Sequence, residues 1–145
     1  RDVTEARSAA AALKASERFN KMTLDALWSS LCVMDENGVI IAVNHSWRMF
    51  AGANGAPANQ VLEGSNYLEI CDRAVGPEAE QARAFAAGAR AVLAGRERVF
   101  TMEYPCHSPV QKRWFLVRVT GFTDDGPARA VVKHEDITAR VLAEE

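Results

Sequence analysis

Three cysteines, Cys32, Cys71 and Cys106, are an odd number with no CxxC pair among them. Structural zinc spacing is therefore absent, and the thiols read as free in a reducing cytosol. No apolar run approaches the ~20 residues of a membrane span, and no signal-peptide pattern opens the chain. Basic residues carry no surplus: 17 Lys and Arg stand against 19 Asp and Glu, a net charge of −2, which excludes the basic stripe of a nucleic-acid binder. Catalytic constellations are missing too. The serines lack a partnered His–Asp pattern, no glycine-rich phosphate loop occurs, and the carboxylates are scattered, so the reading is of a non-enzyme. What remains is 145 residues, 48% hydrophobic and 25% charged, the size and balance of one globular domain able to bury about two-thirds of its unfolded surface. The alanine-rich opening at Arg1 reads as part of a longer protein.

The first thirty residues read as one helix. Asp2 and Glu5 have capping-box spacing, and Val3, Ala6, Ala10, Leu13, Glu17, Asn20, Leu24 and Leu27 form a heptad seam with two polar interruptions. Such a helix packs on a partner helix, or lies as an amphipathic cap on its own domain. Leu31–Met34 and Val39–Val43 flank Asp35-Glu36-Asn37-Gly38, a hairpin whose Asn-Gly supplies positive backbone angles. Asn44 ends the second strand and caps a short helix through Ser46–Phe50. Residues 51–60 are a loop by composition, Val61–Cys71 short helical turns, and Pro77–Ala94 a helix closed by Gly95. Arg98–Tyr104, Arg113–Thr120 and Ala128–His134 are strands, with Phe100, Met102 and Tyr104 on one face of the first. Two strands, helices, then three strands joined by hairpins predict an α+β fold: one five-stranded antiparallel sheet with helices on one face and an amphipathic helix in front. Glu103 and Arg118, on neighbouring strands, are expected to pair.

Four segments, in order and at the right spacing, resemble a PAS domain: Val33-Met34-Asp35-Glu36-Asn37-Gly38-Val39-Ile40, Val43-Asn44-His45-Ser46-Trp47, Arg113-Trp114-Phe115, and His134-Glu135-Asp136-Ile137-Thr138-Ala139-Arg140. The resemblance covers Leu24 to Arg140 and divides the chain into an N-terminal helical segment (1–28), the PAS domain (29–138) and the start of a C-terminal signalling helix (139–145). It implies a sensory module of a bacterial signalling protein, and makes Asp136, Ile137 and Thr138 the signal exit. Asp136 and Thr138 there can cap a following helix while Ile137 anchors the corner.

PAS domains differ in what they bind. The flavin-binding, blue-light branch has a reactive cysteine where this chain has Tyr67, and an arginine where it has Leu68, in Gly64-Ser65-Asn66-Tyr67-Leu68-Glu69. Cys71 is too far along to substitute. Haem-binding relatives take iron with a histidine on the long helix, and none lies between Pro77 and Gly95. Flavin and haem are thus disfavoured, no metal set is visible, and the cofactor stays unknown. Trp47, Phe50, Tyr67, Leu68, Phe85, Val117, Val119, Val132 and His134 are the expected pocket lining. His134 matches the position of a pocket-facing glutamine in the flavin branch, where an imidazole can hydrogen-bond a ligand or sense pH near neutrality. His45 and His107 read as exposed. The expectation is a cytoplasmic sensor that dimerises through its leading helix and drives a histidine kinase, diguanylate cyclase or phosphodiesterase. Its alternative is a ligand-free dimerisation and relay module. Trp114 and Leu116, on the other sheet face, need cover that the leading helix can supply.

Overall fold

The computed structural model describes residues 3–26, 29–54, 61–107, 110–123 and 125–145. Helix α1 (Val3–Ala26) is followed by strands β1 (Ser30–Met34) and β2 (Ile40–Val43), helices α2 (His45–Asn54), α3 (Tyr67–Asp72) and α4 (Ala79–Leu93), strands β3 (Val99–Pro105), β4 (Trp114–Phe122) and β5 (Arg129–Asp136), and helix α5 (Thr138–Glu144). The sheet order is β2-β1-β5-β4-β3, with every neighbouring pair antiparallel. The first and last strands of the domain are therefore neighbours at its centre. The α2–α4 segment crosses one face before β3 forms the far edge.

Period-two alternation decides that face. Cys32 and Met34 on β1, Phe115, Val117 and Val119 on β4, and Ala130, Val132 and His134 on β5 are all buried, as side chains alternating across a pleat require. Phe85, Ala86, Ala89 and Val92 of α4 cover them. Full burial of each larger aliphatic side chain contributes roughly 1.5–3 kcal/mol.

The β1–β2 turn differs from its expected form. Only Gly38 has positive φ, at 89°, while the Asp35 side chain accepts the Asn37 and Val39 amides at 2.9 and 3.0 Å. The carboxylate does the work a second positive angle was expected to do. A Cβ at Gly38 would lie 2.7 Å from Leu68, so the turn also admits the start of α3. Helix α2 runs on to Asn54, into the stretch read as loop. The capping role expected of Asp2, and the seam position Leu27, lie outside the described residues.

Helix α1 is exposed throughout residues 3–23, so this stretch does not lie as a cap on its own domain. Trp114 instead meets the His107 ring edge-on, at 4.9 Å between centroids. Glu103 is opposite Leu116, and Arg118 opposite Thr101. The Glu103 carboxylate turns to Arg140 of α5, at 2.8 Å, rather than to Arg118. Register places Arg118 diagonally, and the exit helix brings a closer cation.

Candidate functional site

Asn44 fixes where the helical layer begins. Its Oδ1 accepts the Leu31 and Trp47 amides, each at 2.9 Å, and its Nδ2 donates to the Ser29 carbonyl at 2.8 Å. One buried side chain so caps α2 and ties it to β1. The Trp47 indole then donates to the Val61 carbonyl at 2.7 Å, holding the chain after α2 against the core. Asn66 caps α3 by accepting the Glu69 amide at 3.0 Å, and the Tyr67 amide donates to the Gly38 carbonyl at 2.9 Å. These contacts aim Tyr67, the first residue of α3, beneath the sheet. Bidentate pairing of Arg90 with Asp72, at 2.9 and 2.6 Å, joins α3 to α4 and holds the Asp72 carboxyl below its usual range, chiefly through that hydrogen bond.

Between these helices and the sheet is a cavity of about 160 Å³ lined by Tyr67, Cys71, Glu78, Gln81, Ala82, Phe85, Met102, Tyr104, Val117 and His134. Four of the residues expected to line a pocket do so: Tyr67, Phe85, Val117 and His134. Five do not. Trp47 and Phe50 instead sit against the His134 ring, edge-on at 5.2 Å and stacked at 5.9 Å. Leu68, Val119 and Val132 are core residues. Leu68 follows Tyr67 on a helix and so points about 100° away, toward the Gly38 turn. Val119 and Val132 share the inward face but pair with each other further along the sheet. Of the residues missed, Met102 and Tyr104 carry a readable signal, their alternation on the inward face of β3. Cys71 is one helical turn beyond Tyr67, a spacing that puts both on one face. Glu78 and Gln81 reach the site from the start of α4, which no local pattern marks.

His134 is the polar centre. Nε2 lies 3.2 Å from the Tyr67 hydroxyl and Nδ1 lies 2.7 Å from the Tyr104 hydroxyl. Burial pulls its pKa down from 6.5 to about 4, because a desolvated imidazolium is costly. The ring is thus neutral across physiological pH, which overturns the expectation of pH sensing near neutrality. Burial likewise pushes both tyrosines up and Cys71 to about 12, with the neighbouring Asp72 charge adding to the effect. Cys71 therefore stays a thiol and offers no nucleophile at neutral pH. His45 and His107 are exposed, and His107 accepts the Arg113 amide at 3.0 Å. Among the described residues, no group of three or more His, Cys, Asp or Glu side chains could hold a metal.

Two residues beyond His134 on β5, Asp136 accepts the Thr138 amide at 2.9 Å and so starts α5. Thr138 does not cap the helix. Its hydroxyl accepts the Trp114 amide at 3.0 Å, and the Ile137 amide donates to the Trp114 carbonyl at 2.9 Å. With Ile137 buried, the exit corner is sewn to the start of β4.

A family model for the PAS fold matches residues 24–142. An uncharacterized 104.1 kDa protein of Rhodobacter capsulatus is 40% identical over 119 residues, which is 79% of this chain and 12% of that protein. The chain thus spans about an eighth of that relative's length. The PAS domain of Bordetella pertussis BvgS aligns with a TM-score of 0.61 and 14% identity, over 90% of this chain and 93% of that one. The phage VqmA–DPO complex aligns with a TM-score of 0.61 and 20% identity, over 90% and 57%. A PAS domain from a two-component sensor histidine kinase and a sensory box sensor histidine kinase from Vibrio cholerae are among the other matching structures.

Proposed function

The chain belongs to the PAS-fold family, and from that premise we propose that it is the sensory module of a bacterial signalling protein, reading a small ligand in the His134 cavity. One observation carries this reading. The polar centre of the cavity sits on β5, two residues before the Asp136-Ile137-Thr138 corner from which α5 departs. A ligand that binds one placement of His134 and Tyr104 better than another shifts the balance between them by no more than its differential affinity. A second strut runs from the same place. Tyr104 faces the cavity while its neighbour Glu103 holds Arg140 of α5, so β3 and β5 both connect the site to the exit helix.

The module occupies 29–138, with 1–28 as a dimerisation segment and 139–145 as the start of the signalling helix. Its output is a histidine kinase, diguanylate cyclase or phosphodiesterase in the same protein. Free Cys32, Cys71 and Cys106 suit a cytoplasmic location. Among the described residues no helix is long and apolar enough to cross a membrane. Native mass spectrometry of the chain purified from cells, followed by amide hydrogen exchange of α5 with and without each compound that raises its Tm, tests the reading. A compound that stabilises the domain and changes protection at Thr138–Val141 supports it. Stabilisation with unchanged α5 protection overturns the relay.

A second reading has its own observation in favour. The exposed α1, with Val3 63% and Leu13 60% accessible, suits a module that only dimerises and relays. A chain with no co-purified mass and no stabilising compound supports that one.

A further inference from the structure

The His134 array carries one hydrogen too many. Tyr67 and Tyr104 each bring one O–H, and a neutral imidazole brings one N–H and one bare nitrogen. These three hydrogens serve two contacts, at Nε2 and at Nδ1. In either tautomer one tyrosine donates to the bare nitrogen and the other accepts from the N–H. That second hydroxyl keeps a hydrogen, and among the described residues neither hydroxyl has another hydrogen-bond partner. An imidazolium would only enlarge the surplus, since both nitrogens would then donate. Both tyrosines line the cavity, so the surplus hydrogen belongs to a group facing it, and a donor left unmatched there costs about 1–3 kcal/mol.

Charge and size narrow what can take it. Val117, Phe85, Met102 and Ala82 make the walls apolar, and the lining's one carboxylate is that of Glu78, with no lysine or arginine among the lining residues. An anion would be buried beside that carboxylate without a counter-charge, and an ammonium, which has donors but no acceptor, would leave the surplus hydrogen unmatched. A volume of about 160 Å³ matches the roughly 150 Å³ of a cavity that holds one benzene.

We propose that the cavity binds an uncharged molecule of about one ring in size, largely apolar, that presents a single hydrogen-bond acceptor such as a carbonyl oxygen to the surplus tyrosyl hydrogen. This rests on the preceding reading of the cavity as a ligand site, and specifies its ligand chemistry.

Cyclohexanone and methylenecyclohexane have nearly the same shape and differ in the acceptor. Their affinities for the 145-residue chain, measured by calorimetry at pH 7.5, are each corrected for partitioning between water and hexane. The ketone is expected to be favoured by at least tenfold after that correction, because the hexane reference removes the cost of stripping water from its carbonyl and leaves no less than the net worth of one hydrogen bond. Its bound carbonyl stretch should fall below the value in hexane. Equal corrected affinities, or an unshifted stretch, overturn the acceptor requirement while leaving the cavity a binding site. Tighter binding of cyclohexanecarboxylate or cyclohexylammonium than of the ketone overturns the neutrality requirement. If neither neutral probe binds the folded chain, the ligand-site reading falls along with the proposal.

Discussion

His134 stays neutral because its ring is buried among Trp47, Phe50, Tyr67 and Tyr104, none of which carries charge at neutral pH. Its pKa is about 4 in the folded protein against 6.5 for an unhindered histidine. The unfolded chain therefore takes up its proton first as pH falls. The stability this residue contributes is fully present above pH 6.5 and is lost on descending toward pH 4, up to about 3 kcal/mol. Urea unfolding across that range, for the natural chain and for His134→Leu, isolates the effect, since the carboxylates titrate alike in both. The natural chain should lose roughly 2–3 kcal/mol more than the variant, and parallel curves would contradict the neutral, desolvated ring. Asn44 gives a second contrast. Asn44→Ala takes the side-chain partner from a buried Trp47 amide and from the part-buried Leu31 amide and Ser29 carbonyl and should cost about 2–4 kcal/mol. Asn66→Ala removes a half-buried cap and should cost about 1 kcal/mol. Equal losses in urea melts would mean that the Asn44 hub is no more than an ordinary cap.

Helix α4 illustrates a conflict between local preference and packing. Gly88 sits inside the helix, where alanine is favoured by about 1 kcal/mol. Yet a Cβ there would come within 2.3 Å of the Phe100 ring on β3. Overpacking of this kind costs typically 1–3 kcal/mol, so Gly88→Ala should lower stability by about 1–2 kcal/mol, and Phe100→Leu should recover part of the loss in the double variant. A Gly88→Ala chain that melts higher than the natural one would show that the ring moves aside freely. The same pairing explains what could be read from the residues. Alternation along β3 showed which of its side chains face inward, and the Pro77–Gly95 pattern placed α4, because both signals are periodic and local. The extension of α2 to Asn54 was hidden beneath a Gly, Ala and Asn composition that reads as loop. The Glu103–Arg140 pair was invisible for a different reason: it depends on where α5 returns against β3, which strand spacing alone does not fix.

The strand order β2-β1-β5-β4-β3 joins residues about a hundred positions apart, as where Cys32 pairs with Val132. Local pattern supplied the five strands, and their hairpin joins supplied one antiparallel sheet, but the order in which the strands lie was not written in either. The cavity needed more than either. Its lining comes from α3, α4 and three strands at once, and a void is a property of how these elements fail to touch, so Tyr67 and His134 could be named but Glu78 and Gln81 could not. The leading helix raises the opposite issue, an element legible in sequence that finds little cover on its own domain. Twenty-four residues of helix exposed through residue 23 receive little stabilisation from packing on their own domain, and isolated helices are marginal in water. Pairing with the same helix of a second copy along the Val3, Ala6, Ala10 and Leu13 seam would bury their apolar edges. Sedimentation equilibrium at tens of micromolar should therefore find the 145-residue chain dimeric. Leu13→Glu places two like charges across that seam and should yield monomers, with a weaker helical signal in far-ultraviolet circular dichroism as α1 frays while the domain keeps its Tm. A natural chain that sediments as a monomer, or a Leu13→Glu dimer as tight as the natural one, removes α1 as the dimerisation element.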